Sequence, residues 1–179
     1  MADAISDYLY GQGRAIDVGA FIGYHTLRLA KHAAPFDVYA FEGRGTSELQ
    51  QNVRRNNAKN VKIRHETIDS KWKLDPILEE ALLEDETPLA LVKIDCEGCE
   101  LNFLRAARSV LKKWHPVIVV EIQDDERRQG ARLGGQRMIL PTGTRGQVLQ
   151  FLRNDLGYTV TVLADEEGNP TWDYLALWL

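Results

Sequence analysis

A short apolar segment near the start of the chain ends in an acid and runs directly into a glycine-rich turn. It covers residues 15–23 and reads A-I-D-V-G-A-F-I-G. The pattern predicts a strand, a tight turn and the start of a helix, an arrangement that lets the backbone lie against a nucleotide-like ligand. A second apolar segment, residues 38–41, is followed by Glu42, whose carboxylate can accept hydrogen bonds from ribose hydroxyls. Together the turn and the acid predict a Rossmann-like α/β fold that holds an adenosine.

Strand-like and helix-like patterns alternate along the rest of the chain. This alternation predicts right-handed crossovers, a mostly parallel sheet with helices on both faces, and a C-terminal hairpin that adds one antiparallel strand. The strands are expected at residues 15–18, 37–42, 61–65, 89–95, 117–122, 158–163 and 172–179. The helices are expected at residues 3–10, 24–34, 47–56, 76–84, 100–113 and about 146–155.

Length and charge narrow the classes of protein that fit. The chain has 179 residues and a net charge of −4, so we expect a single domain, 1–179, whose surface as a whole does not attract nucleic acid or an anionic membrane. No apolar run approaches the ~20 residues of a spanning helix. The first ten residues lack the basic and apolar regions of a signal peptide. A cytoplasmic location is the simplest expectation.

The only two cysteines, Cys96 and Cys99, are spaced C-E-G-C. A lone pair supplies two of the four ligands of zinc, and a thioredoxin-type redox pair is the other functional alternative. A structural disulfide is disfavoured in a reducing compartment. We therefore interpret the cysteines as two small side chains flanking a tight turn.

Acidic side chains stand at or just after the ends of the predicted strands, where a parallel α/β sheet binds its ligand. The strand-end positions are Asp17, Glu42, His65 with Glu66, Asp95 and Glu121. The turn from Gly19 to Gly23 lacks the full G-x-G-x-x-G fingerprint of a pyrophosphate site. A cofactor that contains adenosine without phosphates fits this turn better, and S-adenosylmethionine is the common one.

Four segments resemble successive motifs of the FkbM-type S-adenosylmethionine-dependent methyltransferases. They read I-D-V-G-A-F-I-G-Y-H-T, V-Y-A-F-E, L-V-K-I-D-C-E-G-C-E and P-V-I-V-V-E-I, and they span residues 15–122. The resemblance implies the seven-stranded methyltransferase fold and O-methylation of a hydroxyl group, often on a sugar or a natural product. Phe21 and Gly43 depart from the Asn and Pro that are usual there. The expected cofactor-binding residues are Asp17, Gly19, Ala20, Phe21, Gly23, Glu42, Gly43 and Asp95.

Methyl transfer to oxygen requires a base that removes the hydroxyl proton. The expected catalytic residues are Asp95, His25 and Glu97, and His65 and Glu121 are further candidates for the base. His25 lies in the first turn of a helix, where the dipole disfavours the imidazolium; it could instead only shape the cofactor turn. Lys93 could pair with Glu121 or orient a substrate. Asp95 and Glu97 are too few to argue for a metal, and none is expected.

The segment 123–145 is polar and rich in arginine, and it follows the fifth predicted strand. It is interpreted as a lid that clamps an anionic substrate, although a solvated loop is the simpler alternative. The leading hypothesis is therefore an O-methyltransferase that acts on a small molecule or a glycan. An RNA ribose methyltransferase and a non-catalytic cofactor-binding subunit remain alternatives, and a NAD oxidoreductase ranks last.

Overall fold

The computed structural model describes residues 8–9, 11–123, 143–164 and 168–178. The predicted leading helix, 3–10, and the predicted lid, 123–145, lie almost entirely outside these residues. Seven strands form one sheet in the order β3-β2-β1-β4-β5-β7-β6. The strands are β1 (Arg14–Val18), β2 (Val38–Glu42), β3 (Val61–His65), β4 (Leu89–Ile94), β5 (Val117–Glu121), β6 (Thr159–Ala164) and β7 (Pro170–Leu177).

The sheet is parallel except for one strand, as the alternation predicts. Strand β7 is antiparallel to both of its neighbours, β5 and β6, so the closing hairpin contributes a single reversed strand. The order in which strands are added to the sheet reverses between β1 and β4. These two strands are parallel neighbours, although two other strands separate them in sequence. In an open α/β sheet a ligand binds beyond the carboxyl ends of the strands at such a switch point. The predicted fold class is confirmed.

The helices begin where the sequence places a suitable first residue. They are α1 (Tyr24–Ala33), α2 (Ser47–Arg55), α3 (Pro76–Glu84), α4 (Glu100–Ala106), α5 (Arg108–Trp114) and α6 (Arg145–Gln150). In α3, Pro76 occupies the first turn and the Asp75 side chain accepts a hydrogen bond from the Leu78 N–H at 2.9 Å. Thr144 and Gln147 form a reciprocal capping box at α6.

Two of the predicted helices differ in detail. The stretch predicted as one helix over 100–113 is divided into α4 and α5 at Ala107, which adopts φ −89° and ψ 9°. No glycine or proline lies within this stretch, so the sequence carries no breaking signal. The last predicted helix is α-helical only to Gln150 and continues as a π-helix over Phe151–Asp155.

Apolar side chains pack on both faces of the sheet. Ile16 and Val18 belong to a large core on one face, and Ala15 belongs to a smaller core on the other, where α1 packs. Because side chains alternate along a strand, Asp17 points to the same face as Ala15. That face carries the charged residues of the site described below. None of the helices in the described ranges is both long and apolar enough to cross a membrane.

Candidate active site

The turn after β1 requires glycine at its first position. Gly19 has φ +79°, and a Cβ atom there would lie 1.8 Å from the carbonyl oxygen of Asp95. The N–H groups of Gly19 and Ala20 both donate to the carbonyl of Phe41 at 3.0 Å. Gly23, with φ +95°, ends the turn directly before α1. The turn is therefore held against the ends of β2 and β4, with no room for a side chain at Gly19.

Glu42 holds the same turn from the end of β2. One carboxylate oxygen accepts the Phe21 N–H and the other accepts the Arg44 N–H, each at 2.7 Å. Glu42 is 8% exposed. Phe21 has φ +49° and is 67% exposed. Each carboxylate oxygen retains a second lone pair, so Glu42 can also accept hydrogen bonds from a ligand above the turn.

Gly43 follows Glu42 at the point where the loops after β2 and β3 meet. A Cβ atom at Gly43 would lie 3.0 Å from the Thr67 hydroxyl oxygen, and the Glu66 N–H donates to the Glu42 carbonyl at 3.1 Å. A cleft of about 820 Å³ opens beside this contact, between the loop after β3, the start of α3 and one side of α4. The Trp72 ring lines it, with its indole N–H bonded to Glu66 at 2.8 Å. The cleft thus adjoins the Glu42 side of the site.

A charged network lies buried beneath the turn. The Lys93 ammonium is 3.0 Å from an Asp17 carboxylate oxygen, donates to the Gly19 carbonyl at 3.0 Å, and is 3.7 Å from Asp95. The other Asp17 oxygen accepts the Thr26 hydroxyl at 2.6 Å. Burial alone lowers the pKa of Lys93, but the carboxylates of Asp17 and Asp95 outweigh it, and the pKa is raised. Lys93 is therefore a buried cation.

Three carboxyl groups from neighbouring strands meet beside this network. Asp95 follows β4, and Glu121 and Asp173 are register partners on β5 and β7. Burial, followed by the charge of Asp95, raises the pKa of Glu121 to about 7. Burial and Asp95 likewise raise the pKa of Asp173. Because the pKa of Glu121 lies near neutral pH, this group of residues can take up or release a proton there.

His25 faces the same charges from the first turn of α1. Burial lowers the pKa of its imidazole, and the Lys93 cation lowers it further, against the opposing carboxylates of Asp17 and Asp95. The ring is therefore uncharged near neutral pH and has a nitrogen free of a proton. His25 can accept a proton from a group placed between it and the carboxylates.

Glu97, the third predicted catalytic residue, pairs with the loop after β2. Its carboxylate lies 2.6 Å from the Arg44 guanidinium, and its backbone has φ +53°. The Arg44 side chain is 62% exposed, and the pair connects the loops after β2 and β4. A catalytic role for Glu97 stays a prediction; the observed partner is a cation on the Glu42 side of the site.

The interpretation of the two cysteines requires a correction. Cys96 and Cys99 form a disulfide with their Cα atoms 5.6 Å apart. The turn between them, with Glu97 and Gly98 both at positive φ, brings the Cα atoms into the range that a disulfide spans. Among the described residues, no group of three or more Cys, His, Asp or Glu side chains is arranged to hold a metal ion.

The structure therefore divides the predicted residues into three groups. Asp95 and His25 face a common charged region, to which Asp173 is added. Glu42 and Gly43 lie on the β2 side of the turn, and Phe21 is part of the turn itself. Asp17 is completely buried below the turn, and His65 is an exposed strand end.

Sequence reasoning missed Asp173, because its significance depends on the reversal of β7. In an antiparallel strand, the first residues lie at the edge where the parallel strands end. A lone acid in the otherwise apolar run T-W-D-Y-L-A-L was the available signal.

Glu121→Gln should become more stable relative to the wild-type protein as pH rises from 4.5 to 7. The Glu121 carboxyl has a pKa of 4.5 in its ordinary state and about 7 in the fold. In this interval the unfolded chain releases a proton that the folded chain retains, so the wild-type free energy of unfolding falls and then levels off. The glutamine side chain does not titrate in this pH range, so the variant lacks this loss of stability.

Urea unfolding of both proteins from pH 4.5 to above 7 measures this difference. Glu80→Gln, which changes an exposed glutamate on α3, is the matched control and should show no such trend. A difference between Glu121→Gln and wild type that stays constant across the pH range would contradict the prediction.

A family model described as the methyltransferase FkbM domain matches residues 24–160. This range covers most of the chain and includes every strand from β2 to the start of β6. The glycine-rich turn and β1 precede it. No match is found among curated protein sequences.

Solved structures of methyltransferases share the fold at low sequence identity. A methyltransferase FkbM from Methylobacillus flagellatus superposes with a TM-score of 0.60 at 16% identity, covering 94% of this chain and 44% of that one. A putative O-methyltransferase from Klebsiella pneumoniae gives 0.58 at 16% identity, covering 98% and 75%. A putative rRNA methylase from Clostridium thermocellum gives 0.63 at 12% identity, covering 98% and 90%.

The position of the glycine turn and Glu42 at the carboxyl edge of this sheet agrees with that family match. The chain therefore belongs to the FkbM family of S-adenosylmethionine-dependent methyltransferases.

Proposed function

We propose that the protein transfers the methyl group of S-adenosylmethionine to a hydroxyl oxygen of a small molecule or a glycan. The observation that carries the proposal is the meeting of His25, Asp95, Glu121 and Asp173 next to the glycine turn. These residues include an uncharged imidazole and a carboxyl with a pKa of about 7. Both are suited to take up the proton that a hydroxyl loses.

The cofactor is expected to lie across the turn, with its adenosine toward β2 and its methionine part toward β4. Glu42 would accept the ribose hydroxyls, since its carboxylate has lone pairs left after it accepts the backbone N–H groups of Phe21 and Arg44. The turn from Gly19 to Gly23 would support the amino-acid end. The sulfonium is a cation, so the carboxyl groups of Asp95, Glu121 and Asp173 favour a position for it on the β4 side of the turn.

Bound S-adenosylmethionine supplies an electrophilic methyl group. The residues of this chain have to orient the acceptor and remove its proton. A hydroxyl held between His25 and the carboxylates would donate its hydrogen bond to a base and present its oxygen lone pair to the methyl. The proton then passes to His25 or to the Asp95–Glu121 carboxyl pair. Asp95 is the candidate that also lies against the turn.

The acceptor class follows from the charge of the site. The carboxyl groups of Asp95, Glu121 and Asp173 carry net negative charge beside the reacting position even when one of them is protonated. This charge disfavours a phosphate there, which argues for a neutral hydroxyl and against an RNA ribose flanked by phosphates. An anionic group elsewhere on the acceptor, bound by the arginine-rich segment 123–145, remains part of the proposal. Only residues 123 and 143–145 of that segment are described.

The first experiment is calorimetric titration with S-adenosylmethionine and S-adenosylhomocysteine, with NAD as the control. A panel assay for S-adenosylhomocysteine release would follow, using neutral sugars, phosphorylated sugars, phenols and a short RNA. Release with a sugar or phenol, but not with RNA, is expected. Cofactor binding without release on any acceptor would instead favour a non-catalytic subunit, and release with RNA alone would overturn the acceptor class.

Glu42→Ala should weaken S-adenosylmethionine binding by roughly 1–3 kcal/mol, the scale of a hydrogen bond to a charged group. The lost binding free energy includes the contact with the ribose and the hydrogen bond by which Glu42 holds the Phe21 N–H in the turn. Calorimetry measures the change. Glu48→Ala, at an exposed position on α2, is the matched control and should bind the cofactor as the wild type does. Equal affinity of Glu42→Ala and wild type would remove Glu42 from the cofactor site.

A further inference from the structure

Lys93 is a lysine in the centre of the sheet with almost no contact with solvent. Its side chain is 2% exposed, and the strand around it, β4, is otherwise apolar. A lysine ammonium has three N–H donors, and here three oxygens surround it: a carboxylate oxygen of Asp17, the Gly19 carbonyl and a carboxylate oxygen of Asp95. These three oxygens belong to β1, to the turn and to the residue that follows β4.

A buried ion pair is not needed to stabilise a core. Replacing such a pair with well-packed apolar residues is often neutral or stabilising, because both charges must be removed from water. Asp17 and Lys93 alone would therefore explain little. The two further contacts of Lys93 matter more. Its ammonium donates to the carbonyl of Gly19, the first residue of the turn, and lies 3.7 Å from Asp95.

We propose that Lys93 is a positioning residue for methyl transfer, whose ammonium fixes the Gly19 carbonyl and the Asp95 carboxylate relative to each other. The buried ammonium thereby fixes the position of the cofactor turn relative to the acceptor side of the site. Asp17 orients the ammonium, and the Thr26 hydroxyl, at 2.6 Å, orients Asp17 from α1. The inference rests on the proposed function, because it assigns the cofactor to the turn and the acceptor to Asp95.

The same cation influences the groups that would take the proton. The charged and titratable groups that face this region include Asp17 on β1, His25 and Arg28 on α1, Asp95 after β4, Glu121 on β5 and Asp173 on β7. Lys93 opposes protonation of His25 and attracts the ionised form of Glu121. Loss of its charge should raise the pKa of both. The acid limb of the pH–rate profile of Lys93→Met should therefore move to higher pH, by about one unit.

Lys93→Met leaves Asp17 as an unpaired buried charge and is expected to be unstable. The double variant Asp17→Asn/Lys93→Met removes both charges while keeping the side-chain shapes, and it should fold cooperatively. It still lacks the contacts with Gly19 and Asp95. We expect it to bind S-adenosylmethionine roughly tenfold more weakly than wild type, the loss of one charged hydrogen bond, and to show a kcat lowered at least as much.

The matched control is Lys62→Met on β3. Lys62 also pairs with an aspartate, Asp37, at 3.6 Å, but its side chain is 49% exposed and the pair lies at the far edge of the sheet. Its affinity and kcat should equal those of wild type. A double variant that folds and matches wild type in both affinity and kcat would overturn the proposal, since Lys93 would then only neutralise Asp17.

A measurement on the wild-type protein does not depend on the folding of any variant. The nitrogen-15 resonance of the Lys93 ammonium should move when S-adenosylhomocysteine saturates the protein, whereas that of Lys62 should not. An unmoved Lys93 signal in a protein that binds the ligand would overturn the positioning role and leave the proposed function standing. Failure of the wild type to bind either cofactor form would overturn the proposed function and this inference together.

Discussion

Gly19→Ala should abolish cofactor binding and lower the free energy of unfolding by more than about 4 kcal/mol. The new Cβ atom would lie 1.8 Å from the Asp95 carbonyl oxygen and 2.7 Å from its carbonyl carbon. These are backbone atoms at the end of the central strand, so they cannot rotate away as a side chain would. The positive φ of +79° adds the roughly 1–2 kcal/mol that a left-handed conformation costs a residue with a Cβ. The turn or β4 must move, and Glu42 then loses its position against the turn.

Urea unfolding and calorimetry with S-adenosylmethionine measure the two effects. Gly168→Ala is the matched control, because Gly168 has φ +86° but, apart from its chain neighbours, no atom of the residues that the structure describes would lie within 4 Å of an added Cβ atom. It should show only the conformational cost, with unchanged cofactor affinity. If Gly19→Ala lowers the free energy of unfolding by no more than Gly168→Ala does, the close approach of the turn to Asp95 is not a feature of the protein in solution.

Asp95→Asn should reduce turnover by roughly 10²–10⁴-fold, the range of a positioned acid–base group. The substitution keeps the side-chain shape and the hydrogen bond from the Asp95 N–H to the Val18 carbonyl at 2.9 Å, so the fold should persist. It removes the negative charge that helps to raise the pKa of Glu121. The acid limb of any residual activity should therefore move to lower pH, opposite to the shift expected for Lys93→Met.

The measurement is the pH dependence of S-adenosylhomocysteine release at saturating cofactor. Asp155→Asn, which changes an exposed aspartate at the end of the π-helix, controls for the loss of one negative charge and should retain wild-type turnover. An Asp95→Asn protein of full activity would exclude Asp95 as the base. A large loss of activity without any pH shift would leave Asp95 in the site but contradict its coupling to Glu121.

Much of the fold could be predicted from local patterns. Periods of two and 3.6 residues, the start of a helix at Pro76 and the turn between the strands of the C-terminal hairpin all reflect interactions between residues close in sequence. The division of the helix at Ala107 could not be predicted in this way. Every residue in that stretch accepts a helical conformation, so the local sequence contains no signal for the break.

Within the site, the sequence indicated residues whose chemistry and whose backbone conformation both point to a ligand. Gly19 and Glu42 were both predicted from the sequence as cofactor-binding residues. The structure places them at the same turn, and their contact with a cofactor stays a prediction. The position of Asp17 could not be found, because a strand-end carboxylate can point either into the ligand crevice or under it. Its burial depends on Lys93, which comes from a strand that is distant in sequence but adjacent in the sheet.

The sequence by itself determined the family, the order of strands and helices, and the glycine turn with its acid, since each is encoded within a few neighbouring residues. Only the tertiary structure decided which charges share a site. Asp173 reaches Glu121 because β7 runs antiparallel to β5, and Lys93 reaches Asp17 because β1 and β4 are neighbours. Electrostatic interactions act through space over a few ångströms, so the protonation of these groups follows from strand pairing and burial.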